Sequence, residues 1–416
     1  MRGRLLVPWR WPAWLWCSFV AIGLGLRFPL HFLDSPPYLM DFEVYRAVAE
    51  RLVQGGAVQL YDATTSELML FKYAPLWALV WLPLAWVPAH AGAILWMTCT
   101  TGWFLLAYGG ATRLCRSASL TVPPWTIALV VGLLDRSLRA EFLNGQVDLL
   151  WATLTIGFFL AVVTHRYWWA ACALASAMSL KLPAAIFLCY LTLRRRWRLA
   201  GQTLLLFGAL NAAACLWLSP HHPLQLVRRW LSVLWSSGAS RAFEIGNQSL
   251  LALAGRFLSA DGYRLNVVSL PHTRVVLVVL LISAWLLGLV MARARRPVSE
   301  AQQITFDGAL LTVVMVLCSP TVWVATYSAL LFPVTLAIAC LATRPQRTWS
   351  HWPSAMAAIG VVLCSLLTHS SAWRAIGLPH VRGESYVFLV FMVLPWLGLL
   401  LFSYLWRQRQ VFRGST

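Results

Sequence analysis

Asp41, Glu43 and Glu50 fall within one short stretch, DFEVYRAVAE (41–50), of a chain with only 14 acidic residues against 33 basic ones. On a helix starting at about residue 42, at about 100° per residue, Glu43, Arg46 and Glu50 share a polar face. Tyr45, Val48 and Leu52 share the opposite, apolar face, and Asp41 projects with them. Such a helix lies in a membrane interface with its polar side to water. Glu43 and Glu50 are then solvated. A carboxylate on the inward face has two readings that do not exclude each other: an N-cap for the helix, or a general base aimed into a site.

Four further stretches place reactive side chains beside apolar runs. In LNGQVDLL (143–150), Asn144, Gln146 and Asp148 head an apolar segment. They form either a Gly145 turn with its polar groups satisfied, or part of a site. Lys181 in MSLKLPAAIFLCYL interrupts two apolar runs, and Lys72 is the only other lysine in the chain. A lysine at membrane depth is costly and points to function. Its structural alternative is a snorkelling helix end. A compact ammonium suits a phosphate. Residues 219–271 carry Arg228, Arg229, Arg241, Arg256 and Arg264, fit for lipid headgroups or a bound phosphate. His221, His222 and His272 read as interface residues. Ser319 and Pro320 interrupt two apolar runs, as an ordinary proline turn would.

The elements that carry these groups must be membrane helices. Of 416 residues, 60% are hydrophobic and 11% charged, with mean hydropathy +0.69. A soluble domain is excluded, since those run near a quarter charged. The expected fold class is all-α: a polytopic helical membrane protein of about a dozen spans, forming a single domain over 1–416. Many of the 24 Trp sit near the ends of apolar runs, as in interface belts. Nine Cys lie singly with no CxxC pair and read as core residues. The net charge of +19 is scattered over short loops, which argues against nucleic acid.

Arg2, Arg4 and Arg10 precede a first span at roughly 13–30, expected to be retained because no small-residue cleavage site follows it. The N-terminus is then cytoplasmic and 31–74 is the first extracytoplasmic loop. Further apolar runs lie near 75–88, 91–110, 123–135, 147–164, 167–181, 183–193, 200–218, 272–292, 304–318, 322–342, 354–369 and 386–406. Basic clusters at 194–198, 293–296, 344–347 and 407–413 mark cytoplasmic ends. Counting back from them puts 219–271, the second large loop, outside. Forward and backward counts disagree somewhere across 111–146, where a half-helix is one resolution.

The stretches DFEVYRA (41–47), LYD (60–62), FKYAPLWAL (71–79), NGQVDLL (144–150), SLKLPAAIFLCYL (179–191), GNQSL (246–250) and SPTVW (319–323) together resemble a known family. In this order and over nearly the whole chain, they are similar to glycosyltransferase family 87, membrane enzymes of the GT-C fold that include polyprenyl-phosphate-mannose-dependent mannosyltransferases. No single motif is specific; the ordered set carries the resemblance. It implies a polyprenyl-phosphate sugar donor, mannose or a pentose, and a lipid or glycan acceptor hydroxyl. Transfer would be inverting, on the extracytoplasmic face of a bacterial cytoplasmic membrane. Asp41 would be the catalytic base. Lys181, Asn144, Gln146, Tyr45, Tyr73, Asn247, Gln248 and Arg241 would contact donor phosphate or substrate. No cofactor or divalent metal is expected, because cations can neutralise the departing phosphate. The family's W-x-H-H ending is absent: Val324, Ala325 and Thr326 follow Trp323.

Two other readings of the sequence stand beside this one. A transporter or flippase for a lipid-linked or anionic substrate would show internal repeats and paired broken helices, and none is evident. A non-catalytic assembly partner would tolerate replacement of Asp41 and Lys181.

Overall fold

The structure, a computed structural model, describes residues 39–62, 70–259, 267–292, 299–343, 352–368 and 392–413, with Gly23 and two short pieces at 380–381 and 384–385. The first span, Arg264 and the basic clusters at 293–296 and 344–347 lie outside the described residues. The remainder is a helical membrane bundle, as the apolar runs require, because a backbone in lipid must satisfy its own hydrogen bonds.

In chain order the helices are α1 (Met40–Val53), α2 (Pro75–Trp81), α3 (Ala89–Ser117), α4 (Thr126–Asn144) and α5 (Asp148–Val163). Then come α6 (Tyr167–Leu180), α7 (Ile186–Leu193), α8 (Trp197–Leu218), α9 (Pro223–Arg241) and α10 (Leu250–Leu258). The last are α11 (His272–Met291), α12 (Glu300–Leu317), α13 (Leu331–Thr343), α14 (Trp352–Leu367) and α15 (Val393–Arg413). By length and apolarity α3, α8, α11 and the continuous piece Ala325–Thr343 can each cross a bilayer, and α4 and α5 form a pair bent by 116°. Burial sorts them. α12 is buried all round from Ile304 to Leu317, as a central helix with no polar face should be. α11 instead presents Leu277, Leu280, Leu281 and Trp285 outward, as a lipid-facing helix does.

Hydrogen bonds fix which ends lie together. At one end, Asp307 of α12 is clamped by Arg194 (2.8 Å) and by Arg409 of α15 (2.6 Å), with the Tyr190 hydroxyl at 3.2 Å. Arg196 pairs with Glu300 there, and the Thr305 hydroxyl donates to Leu114 O. At the other end, Trp96 of α3 packs on Phe42 and Tyr45 of α1, with ring centroids 5.4 and 5.0 Å apart.

This geometry corrects the span count. The run 75–88 does not cross. Pro75 starts the seven-residue α2, a 3-10 turn over Leu82–Trp86 follows, and both pack against α1. α3 is therefore the first crossing after α1. The disputed region 111–146 holds the end of α3 and the 19-residue α4, which together with α5 makes one bent pair, a broken span or a re-entrant loop. α6, at 14 residues, rises only about 21 Å. That is shorter than the roughly 30 Å of a bilayer core, and Lys181 stands at the tip of α6.

Candidate active site

α1 has Leu39 as its N-cap and no side-chain cap. Asp41 therefore does not cap the helix, and its carboxylate is available elsewhere. Arg46 pairs with both Glu43 and Glu50 at 3.4 Å on the outer face. Phe42, Tyr45, Val48 and Ala49 are buried on the inner face.

The bend between α4 and α5 is what meets Asp41. Gly145 closes α4 in the left-handed region, at φ +68°, a conformation that favours glycine. A Cβ there would lie 2.8 Å from the Phe42 Cβ and 3.1 Å from the Leu39 Cβ. Only a glycine lets the bend close onto the first turn of α1. The contact brings the Gln146 side-chain amide to Asp41, where it donates to Oδ2. Glu141, fully buried, accepts the Leu149 N–H at 2.8 Å and so holds the start of α5, while the Ser328 hydroxyl donates to its other oxygen.

Asp148, the first residue of α5, is fully buried and pairs with the Lys181 ammonium at 2.5 Å. Lys181 itself is extended, at φ −142° and ψ 115°, between α6 and the 3-10 turn Leu182–Ala185. Its ammonium lies 5.8 Å from the Trp151 ring centre. Leu182 precedes Pro183, which disfavours helix there and keeps the chain broken at this depth.

Residues 70–74 form a second wall. The Lys72 carbonyl accepts from Trp230 Nε1 of α9 at 3.1 Å, and the Tyr73 carbonyl accepts from the Tyr61 hydroxyl at 3.1 Å. Ala74 N–H donates to Ser179 O at 3.0 Å. The Tyr73 and Tyr45 hydroxyls share a hydrogen bond of 2.8 Å. A third wall comes from the end of α9 and the Ser319–Trp323 turn, where the Arg241 guanidinium lies 5.8 Å from the Trp323 ring centre.

These walls enclose a cavity of about 860 Å³ that brings together Asp41, Tyr45, Lys72, Tyr73, Asn144, Gln146, Lys181 and Arg241. Seven of these eight were singled out in the sequence; Lys72 was not. Burial pushes the Asp41 carboxyl up to about 7, with Lys181 pulling it down, Asp148 pushing it up, and Lys72 and Arg241 also lowering it. Burial, and then the nearby Arg241, lowers Lys72 to about 8. Burial likewise drives both tyrosine hydroxyls well above their ordinary value. Both hydroxyls therefore stay protonated near neutrality, while Asp41 and Lys72 are shifted toward it.

Asn247 and Gln248 do not reach the cavity. The Asn247 amide donates to the carbonyls of Arg241, Ala242 and Pro320, and its oxygen accepts from Ser249 N and Val322 N. It ties the end of α9 to the 319–323 turn and is not among the residues that line the cavity. Gln248 is fully buried, and its backbone accepts from the Tyr327 hydroxyl and donates to Val322 O. Gly246 lets this tie close, because a Cβ there would meet Trp323 at 2.8 Å.

The cavity thus sets one buried carboxylate near three cations inside a helical membrane bundle. The chain belongs to glycosyltransferase family 87, whose model matches residues 71–320, more than half of its length. Its relatives include a polyprenol-phosphate-mannose-dependent alpha-(1-2)-phosphatidylinositol mannoside mannosyltransferase of Mycolicibacterium smegmatis. That protein is 28% identical over 404 residues, covering 88% of this chain and 85% of its own length. The protein of the same description in Mycobacterium tuberculosis is 25% identical over 434 residues, covering 97% and 95%. A phosphatidylinositol pentamannoside mannosyltransferase of Mycobacterium tuberculosis is 28% identical over 202 residues, covering 46% and 44%.

Proposed function

We propose that this glycosyltransferase moves one sugar, mannose or a pentose, from a polyprenyl phosphate to a hydroxyl of a lipid or glycan acceptor, with inversion. Asp41 takes the acceptor proton as the acceptor oxygen bonds to the anomeric carbon. The bond from that carbon to the phosphate oxygen breaks, and its electron pair leaves on the phosphate. A general base works best with a pKa near the operating pH, and burial brings Asp41 to about 7. Cations on the cavity wall meet the charge that develops on the phosphate. The reading assigns that task to side chains and includes no divalent metal.

The observation that carries this reading is the convergence of Asp41, Gln146 and the cations on one cavity. The donor class is supported by relatives whose names give a polyprenol-phosphate-mannose donor and a phosphatidylinositol mannoside acceptor. Charge distribution supports the side of action. Arg194 and Arg196 lie at the bundle end opposite Asp41, with Arg409 beside them on Asp307, as expected of a cytoplasmic face. The cavity then opens on the extracytoplasmic side of a bacterial cytoplasmic membrane.

The test offers purified protein in proteoliposomes a labelled polyprenyl-phosphate mannose, the pentose analogue, and the corresponding nucleotide sugars. Transfer from a lipid-linked donor alone is expected. Transfer from a nucleotide sugar, with none from either lipid donor, would overturn the reading.

A further inference from the structure

Lys72 and Lys181 are the only two lysines of the chain, every other cationic residue being arginine, and both line the same cavity. They are not equivalent. The Lys181 ammonium is held at 2.5 Å by Asp148, whose side chain is fully buried and whose second oxygen has no partner among the described residues. Drawing Lys181 away would leave a buried carboxylate uncompensated, which is strongly unfavourable. Its charge is already committed within the protein.

The Lys72 ammonium has no hydrogen bond or ion pair among the described residues. Its backbone cannot carry it elsewhere. Phe71 and Ala74 are fully buried, and the carbonyls of Lys72 and Tyr73 are bonded to Trp230 and Tyr61. The side chain faces the cavity. The charged groups that act on it are Arg241, Asp41, Lys181 and Glu244, and Arg241 is the strongest of these. Lys72 and Arg241 share one partly desolvated wall, and an anion bound beside them would ease their mutual repulsion.

We propose that Lys72, together with Arg241, forms the subsite for the phosphate of the lipid donor, and that Lys181 instead positions the cavity floor through Asp148. This deepens the proposed function and rests on it. The donor is a phosphodiester with one negative charge. When the bond from the anomeric carbon to the phosphate oxygen breaks, the electron pair stays on that oxygen, and the product monoester approaches two charges. A compact ammonium with three N–H donors and an adjacent guanidinium match that gain, which exists only as the bond breaks. The preference for an unpaired lysine over a paired one follows from solvation, since a cation already neutralised at 2.5 Å has less to offer an incoming phosphate.

The test uses the full-length protein in nanodiscs with a short-chain polyprenyl phosphate as probe, measuring both its binding and its inhibition of transfer. Lys72→Met is expected to weaken polyprenyl-phosphate binding by roughly tenfold or more, the loss of one charged hydrogen bond. Lys72→Arg, which keeps the charge, is expected to retain most of the affinity. Lys72→Met with unchanged affinity would overturn the assignment. If Lys72→Met does not fold, wild type and Lys72→Arg are compared across pH. Wild-type affinity should fall above about pH 8 and that of Lys72→Arg should not; parallel falls would overturn the assignment. Asp41→Asn separates the two proposals. If it abolishes transfer while Lys72→Met binds polyprenyl phosphate normally, the subsite is wrong and the function stands. If Asp41→Asn transfers at full rate, the proposed function itself fails.

Discussion

Gln146 donates its side-chain amide to the carboxylate of Asp41, 105 residues away in the chain. The contact exists because Gly145 turns left-handed and lets the α4–α5 bend press onto Phe42. A bend between two membrane helices thus orients the carboxylate of an interfacial one. That coupling of fold to chemistry leads to a set of measurable consequences.

Gly145→Ala should damage both stability and transfer. The left-handed backbone alone costs a non-glycine residue about 1–2 kcal/mol, and the new Cβ also meets Phe42. Gly157→Ala in α5 is the matched control, because a Cβ there meets nothing within 4 Å. Apparent melting temperature and transfer rate should both fall for Gly145→Ala and hold for Gly157→Ala. Equal behaviour of the two would remove the bend from the account.

The pH dependence of kcat/KM should be a narrow bell. Asp41 acts deprotonated, and its pKa is raised to about 7, so the rate should climb as pH rises through about 7. Lys72 acts protonated, and its pKa is lowered to about 8, so the rate should decline above about 8. An acid limb near pH 4, the ordinary range for an aspartate, would show that Asp41 is not held as described.

Lys181 and Asp148 should behave as a pair. Removing one partner of a buried ion pair costs on the order of 3 kcal/mol, because the other is left unpaired. Lys181→Met and Asp148→Leu should each lower the apparent melting temperature, and the double variant should lose less than the sum. Strict additivity would mean that the 2.5 Å contact does not stabilise the cavity floor.

Asn247→Ala should destabilise the protein rather than act on substrate alone. Its amide group serves three carbonyls and two N–H groups, and all five lose that bond. A normal melting temperature together with a raised donor KM would instead place Asn247 on the substrate.

Much of this arrangement is legible in the sequence, for identifiable reasons. Asp41 stands out because helical spacing puts it on the wrong face for a solvated acid. Lys181 stands out because lysine at membrane depth is costly. The remainder is hidden by features that only three dimensions resolve. Lys72 sits inside FKYAP, flanked by aromatic residues, where sequence does not tell a cavity-facing ammonium from a snorkelling one. Asn247 and Gln248 have the polarity of ligand contacts, yet the Asn247 amide is taken up by backbone groups of the 319–323 turn and its neighbours, and Gln248 is fully buried. The run 75–88 has the composition of a span, but Pro75 and Pro83 break it into pieces that fold against α1.

The central claim, that Asp41 is the proton acceptor, is tested most directly by single-turnover transfer with Asp41→Asn. The enzyme would be reconstituted with saturating lipid-linked donor, after confirming that its melting temperature and polyprenyl-phosphate binding match wild type. Asparagine keeps the shape and loses the base, so transfer should fall by roughly 10²–10⁴-fold with donor binding intact. Transfer within a few-fold of wild type would contradict the account.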